Sequence, residues 1–169
     1  MVGMMMLAAA LGAQAPCVTH VRSDEPKIVR LIDAGRAQSE TFRRLLDRLD
    51  ESDVIVYIHP KQTHQALGGF LSHGVVVAGG CRYLHVGMTM LGADRWLIAL
   101  LAHELQHVVE VADHPEARDR RSVAAMFELM TIKFACGESN CAETQAAQDV
   151  QNAVNDELGA IRAKSASAY

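Results

Sequence analysis

The stretch WLIALLAHELQHVVEVAD, residues 96–113, decides how this chain is interpreted. Apolar residues cover almost the whole surface of the helix that this stretch predicts, so we expect the helix to be buried. Three polar residues, His103, Glu104 and His107, lie in its middle. Burying polar side chains is costly unless they have partners, so these three are the first candidates for a functional site.

The spacing of the two histidines predicts a metal site. Because a helix turns by about 100° per residue, His103 and His107 project from one face, one turn apart. Zinc suits such a pair, since it accepts nitrogen and oxygen ligands and leaves a fourth position open for water. Glu104 points away from the His103 direction, so we expect it beside the metal, where it can accept a proton. The alternative is a pair of core histidines bonded to the backbone, with Glu104 in a salt bridge.

The elements before the buried helix are predicted from helical spacing, β-branched runs and glycines. They are two helices, a strand and a β-hairpin: Lys27–Gly35, Ser39–Leu49, Asp53–His59, and the pair Val75–Val77 and Arg82–Val86. Ser39 is the expected N-cap of the second helix. The hairpin is expected to turn at Gly79-Gly80.

Three helices are predicted in the second half of the chain, over Arg95–Val111, Glu116–Phe134 and Ala142–Ala163. The order of elements therefore predicts an α+β fold. A small antiparallel sheet or hairpin is followed by the buried helix and two further helices.

Composition and charge indicate an ordinary globular domain. The 169 residues are 50% hydrophobic, and the formal net charge is −4. No basic stripe indicates nucleic-acid binding, and no polybasic segment indicates an anionic membrane. Residues 1–15 form an uncharged apolar run that ends in Ala13-Gln14-Ala15, which predicts a signal peptide and export. This run is too short for stable membrane insertion, and a buried N-terminal helix is the alternative. Residues 16–169 are then one domain.

The four cysteines are an even number after a predicted export signal, which favours disulfides. Cys136 and Cys141 flank a loop-like tetrapeptide, so we expect them to pair, which leaves Cys17 with Cys81. The alternative is four small buried apolar residues. A four-cysteine zinc site is not expected, because the chain has no CxxC pair.

The HELQH sequence at 103–107, with a sheet before it and helices after it, resembles the zincin metallopeptidases. The resemblance covers residues 53–169 and is greatest to small exported bacterial proteins of this class. It implies that zinc activates a water for attack on a peptide carbonyl, with His103 and His107 as ligands and Glu104 as general base. It also implies that the strand Arg82–Val86 pairs with an extended peptide or protein substrate.

The third zinc ligand is expected to be Glu143. In the gluzincin branch of this class the third ligand is a glutamate on a later helix, followed by small residues. Glu143 opens the last predicted helix, and Ala146 matches the small position. Ala147 stands where that branch often has an aspartate that supports a histidine ligand.

Two other acids compete for the role of third ligand. Asp113 has the spacing of the metzincin branch, but Glu110 stands where that branch has a glycine that ends the helix. Glu128 has apolar neighbours on both sides in the next helix. Glu110 lies on the same stripe as His103 and is better placed as a supporting partner of His107.

The function expected from these residues is zinc-dependent hydrolysis of peptide bonds. The alternative is a catalytically inactive zincin-fold module that binds zinc or a partner, which would not need Glu104. A plain helical domain without metal is a third interpretation. His114, Tyr57 and Tyr83 are candidates for stabilising the oxyanion by residue type alone.

Overall fold

Five helices and seven strands make up the described part of the chain, which in this computed structural model covers residues 17–61, 68–136 and 139–166. The predicted signal segment, residues 1–15, lies outside the described residues. The elements before the central helix are β1 Val21–Arg22, α1 Pro26–Gln38, α2 Glu40–Asp50, β2 Val54–Pro60, β3 Gly69–Leu71, β4 Val76–Ala78 and β5 Cys81–Met88. The others are α3 Asp94–Ala112, α4 Arg120–Met130, β6 Ile132–Cys136, β7 Ser139–Glu143 and α5 Gln145–Ala166.

The main sheet has five strands and is mixed. Its order is β1-β2-β5-β3, and β4 also pairs with β5. β1, β2 and β5 are parallel, whereas β3 and β4 run antiparallel to β5. The expected hairpin is confirmed, because β4 and β5 pair across Gly79 and Gly80, whose positive φ angles of 58° and 83° suit glycine.

The prediction of a purely antiparallel sheet is wrong, whereas the α+β class is confirmed. After β2 the chain returns along β3 and β4 and then turns into β5, so β5 starts at the same end of the sheet as β2. The parallel pairing of Val54–Pro60 with Arg82–Met88 follows from this return.

The predicted substrate-pairing strand, Arg82–Val86, lies inside the sheet. β2 pairs with one side of β5, and β3 and β4 pair with its other side. That prediction is therefore wrong, since a peptide can add only to a free edge. In the described part of the chain, β3 and β4 together form the edge of the sheet on that side.

α3 is the buried helix that the sequence predicts. Fourteen of its nineteen residues are buried, so the helix is enclosed on almost all sides. It packs in one core with alternate residues of β2 and β5, among them Val56 and Leu84, and with residues of the other four helices. The sheet therefore forms one layer, and α3 lies between it and the other helices.

The boundaries of the last elements differ from the prediction. α4 ends at Met130 and α5 begins at Gln145, and the β6–β7 hairpin occupies the interval. Thr131 ends α4, because its backbone is extended and its Oγ1 donates to the carbonyl of Phe127 at 2.7 Å. Glu143 is consequently the last residue of β7, and its placement in the first turn of a helix is wrong.

A disulfide joins Cys17 to Cys81, as the sequence predicts. It ties the segment before β1 to the start of β5. The expected partners Cys136 and Cys141 lie on β6 and β7, but their side chains are outside the described part of the structure. Within the described residues, no helix has both the length and the apolar character required to cross a membrane.

Candidate metal centre

Three side chains converge at the middle of α3. His103 and His107 come from α3, and Glu143 comes from the end of β7. Nε2 of His103 lies 3.0 Å from Oε2 of Glu143, and Nε2 of His107 lies 2.9 Å from Oε1 of the same carboxylate. The three potential ligand atoms all lie within 4.8 Å of one another.

The donor set of this group fits a metal ion. In a tetrahedral zinc site with bonds of about 2.0–2.1 Å, ligand atoms stand about 3.3 Å apart, and the three atoms here already lie within 4.8 Å of one another. Both histidines are buried, with 8% and 9% of their surfaces exposed, so water competes little for their ring nitrogens. Two imidazoles and one carboxylate could therefore hold a metal ion, and they leave a fourth position for water or substrate.

Glu104 lies beside this group, buried with 3% of its surface exposed. Its Oε2 has no hydrogen-bond partner among the described residues. Burial raises the pKa of Glu104 to about 7, although the nearby His107 and His103 favour its charged form. A carboxyl group with this pKa can both accept and release a proton near neutral pH.

Glu110 supports His107 from the far side of the ring. Nδ1 of His107 donates to Oε2 of Glu110 at 2.9 Å, and Oγ1 of Thr144 donates to Oε1 of Glu110 at 2.6 Å. This contact fixes the ring so that Nε2 faces Glu143. Nδ1 of His103 has no partner among the described residues, so only one of the two histidines is supported in this way.

His107 and Glu143 stabilise each other's charged forms. Burial lowers the pKa of His107, but hydrogen bonds to Glu110 and Glu143 outweigh it and raise that pKa to about 9. Burial raises the pKa of Glu143, but hydrogen bonds to His103 and His107 outweigh it and lower that pKa to about 2. In the protein alone, a protonated His107 and an ionised Glu143 thus hold the group together.

The other two candidate ligands are elsewhere. Asp113 ends α3 and forms an ion pair with Arg48 of α2. Glu128 is exposed on α4. Neither joins the described group of potential metal ligands, which leaves Glu143 as the acid that accompanies the two histidines.

The three candidate oxyanion donors do not gather at the group. Tyr57 and Tyr83 alternate with the core-facing residues of β2 and β5, so they lie on the sheet face away from α3. His114 follows α3, and its Nδ1 lies 2.7 Å from Oε1 of Glu116. These positions argue against an oxyanion role for either tyrosine.

Two residues near the group, Phe127 and His73, could not be predicted from the sequence. The ring of Phe127 meets the ring of His107 edge-on, with centroids 5.6 Å apart. The ring of His73 stacks on the ring of Phe127, with centroids 5.5 Å apart. Burial lowers the pKa of His73, and the charges of Arg120 and His107 lower it further. No spacing in the sequence connects these residues, because they come from a loop and a separate helix.

No protein-family model, curated protein or solved structure matches this chain.

Proposed function

We propose that this chain is an exported, zincin-type zinc peptidase that hydrolyses peptide bonds in peptide or protein substrates. One observation carries the proposal. A two-histidine, one-glutamate group converges inside the protein, and the buried carboxyl group of Glu104, whose Oε2 has no hydrogen-bond partner among the described residues, stands beside it. A purely structural metal site needs a fourth protein ligand and no free carboxylate, whereas a hydrolytic site needs an open position and a base.

His103, His107 and Glu143 are the residues that would hold zinc. When bound, zinc polarises a carbonyl group and lowers the pKa of a water molecule. Glu104 accepts one proton from the attacking water and delivers it to the nitrogen of the leaving amine, so the proton count balances. Its raised pKa, about 7, suits both halves of this transfer near neutral pH.

The substrate would lie along the outer edge of β3. Gly69 of β3 lies so close to Glu104 that a Cβ atom there would meet Oε1 of Glu104 at 2.2 Å. A peptide paired with β3 as an additional strand would therefore run next to the proposed base. Main-chain hydrogen bonds would hold such a peptide whatever its side chains.

Export is supported by two features of the chain. Residues 1–15 have the pattern of a signal peptide, and Cys17 forms a disulfide with Cys81. Disulfides of this kind persist in oxidising compartments outside the cytosol.

Metal analysis tests the ligands first. Plasma mass spectrometry on the purified wild type should find about one zinc per chain, because three protein ligands suffice for a catalytic site. Glu143→Ala should lose most of it, whereas the exposed Glu128→Ala serves as the matched control and should retain it. Absence of zinc from the reconstituted wild type would overturn the proposal.

Glu104→Gln separates the enzyme from the alternative, a binding module without activity. The variant should retain zinc and lose about 10²- to 10⁴-fold in the hydrolysis rate of a quenched fluorescent peptide library. Equal hydrolysis rates in wild type and variant would exclude Glu104 as the base. Zinc binding without hydrolysis of any peptide in the wild type would favour the binding module.

A further inference from the structure

We propose that Thr144 is a positioning residue of the metal centre. Thr144 lies between β7 and α5, and 3% of its surface is exposed. It holds the ligand Glu143 with its backbone and orients the ligand His107 through Glu110. The inference rests on the proposed function in that the oriented residues are taken to bind zinc.

The hydroxyl group of Thr144 orients Glu110. It donates to Oε1 of Glu110 at 2.6 Å, which leaves Oε2 of Glu110 to accept from Nδ1 of His107 at 2.9 Å. A carboxylate held at both oxygens cannot rotate away from the imidazole. The hydroxyl therefore controls the direction in which Nε2 of His107 points.

The direction of the hydroxyl proton is itself fixed. The amide N–H of Ala147 donates to Oγ1 of Thr144 at 3.2 Å, in the manner of an N-cap at the start of α5. A hydroxyl has one proton to donate, so with the amide on its lone pair that proton is free for Glu110. The hydroxyl of Thr144 therefore links the start of α5 to Glu110 of α3.

The backbone of Thr144 holds the other ligand. Its N–H donates to Oε1 of Glu143 at 2.9 Å, and the same oxygen lies 2.9 Å from Nε2 of His107. One residue thus contacts Glu143 directly and His107 through Glu110. Only the hydroxyl contact depends on the side chain, so substitution separates the two contacts.

Thr144→Val removes the hydroxyl and keeps the shape of the side chain, whereas Thr144→Ser keeps the hydroxyl. The matched control is Asp119→Ala, which removes the side-chain N-cap of α4 at an exposed position. Thr144→Val and Asp119→Ala each remove the side-chain cap of a helix, so both should lower the stability of the protein. Loss of the cap in the control should not alter the metal centre. Thr144→Ala replaces the valine variant if valine prevents folding.

The first measurement is the ¹H–¹⁵N spectrum of the histidine rings in the metal-free protein at one pH. Wild type, Thr144→Ser and Asp119→Ala should share a downfield Nδ1–H signal of His107, because a carboxylate accepts from it. That signal should shift or disappear in Thr144→Val. This readout needs no metal, so it tests Thr144 even if the wild type binds no zinc and the proposed function fails.

The second measurement is the zinc dissociation constant from competition with a chelator. Thr144→Val should raise it about 10- to 100-fold, as loss of a supporting contact does, and Thr144→Ser should change it less than about threefold. Glu110→Gln should show a similar loss, and the double variant should lose little more, because both act on one ring. An unchanged His107 signal in Thr144→Val, or an equal loss of affinity in Asp119→Ala, overturns the inference.

Discussion

Gly69 and Glu104 are in contact across the boundary between β3 and α3. A Cβ atom at Gly69 would lie 2.2 Å from Oε1, 2.7 Å from Cδ and 2.9 Å from Cγ of Glu104. No carbon atom fits at these distances, so any larger residue at 69 must displace the carboxylate. The glycine therefore allows an edge strand to cross directly over the proposed base.

Gly69→Ala should lower the proposed peptidase activity without loss of the proposed zinc. The methyl group displaces the carboxylate of Glu104, and a misplacement of about 1 Å costs about 100-fold in rate. The three atoms nearest this methyl position all belong to Glu104, so the metal content should stay at the wild-type level. Rates on the fluorescent peptide library and metal analysis of the same sample check both parts.

Gly74→Ala is the control for this substitution. The nearest atom to a Cβ at Gly74 is Oγ of Ser72, at an ordinary contact distance of 3.5 Å. This variant should retain both activity and zinc. If Gly69→Ala were as active as Gly74→Ala, the close approach of β3 would have no bearing on catalysis.

Arg82→Met should strongly destabilise the fold. Arg82 is fully buried, pairs with Asp53, and donates to the four backbone carbonyls of Val111, Ala112, His114 and Ala117 at and beyond the end of α3. Methionine leaves these acceptors without a donor, at a cost of about 3–5 kcal/mol in the free energy of unfolding. Urea unfolding followed by circular dichroism measures this change.

Arg44→Ala is the comparison for Arg82. Arg44 pairs with Glu40 on the exposed surface of α2, so its loss should change the free energy of unfolding by less than about 0.5 kcal/mol. A loss below about 1 kcal/mol for Arg82→Met would mean that water replaces the missing donor, contrary to the burial of the site.

Helical geometry accounts for what the sequence predicts well. His103 and His107 are separated by one turn, so their convergence follows from local structure alone. The contact of Glu110 with His107 is also local, because residues three apart on a helix are neighbours on its surface. The hairpin at Gly79-Gly80 is also local, since glycines and neighbouring β-branched residues specify it.

The sequence does not reveal features that depend on contacts between distant residues. β2 and β5 have similar apolar patterns, and nothing in either one indicates that β5 enters between β2 and β3. Residues 132–136 follow α4 with apolar residues at spacings that suit either helix or strand, so the sequence predicts that the helix continues to Phe134, where the structure has β6. Glu143 thus joins the group from a strand end.

The disulfide should contribute much of the stability of the oxidised protein. Cys17 and Cys81 are 64 residues apart in the chain, and closing a loop of this length constrains the unfolded state by about 4 kcal/mol. The double variant Cys17→Ser, Cys81→Ser should lose about this much in urea unfolding. Its zinc content should be unchanged, because neither cysteine belongs to the described group of potential metal ligands. Equal unfolding curves for variant and wild type would exclude a stabilising role.

Zinc binding should release a proton from His107 between about pH 7 and 9. In the protein alone, hydrogen bonds to Glu110 and Glu143 raise the pKa of His107 to about 9, so the ring is protonated across this range. Zinc requires the lone pair of Nε2, so binding displaces one proton. The apparent affinity should then rise about tenfold per pH unit up to pH 9. Glu104, with a pKa of about 7, is mostly ionised over the range from pH 7 to pH 9.

The raised pKa of His107 also makes the stability of the metal-free protein depend on pH. A histidine whose pKa is raised on folding stabilises the fold fully below about pH 6.5, and that contribution is lost as the pH rises through about 9. The melting temperature of the metal-free protein should therefore fall from pH 7 to 9, while the added stability from zinc grows.

Calorimetric zinc titrations at pH 8, in buffers with different ionisation enthalpies, count the released protons. Wild type should release close to one proton from this ring. Glu110→Gln should release fewer, because loss of the carboxylate partner lowers the pKa of His107 towards its ordinary value. His114→Asn, which alters a partly exposed histidine paired with Glu116, should release as many protons as the wild type. Proton release that is zero in wild type, or equal in wild type and Glu110→Gln, would show that the Glu110 contact does not govern the protonation of His107.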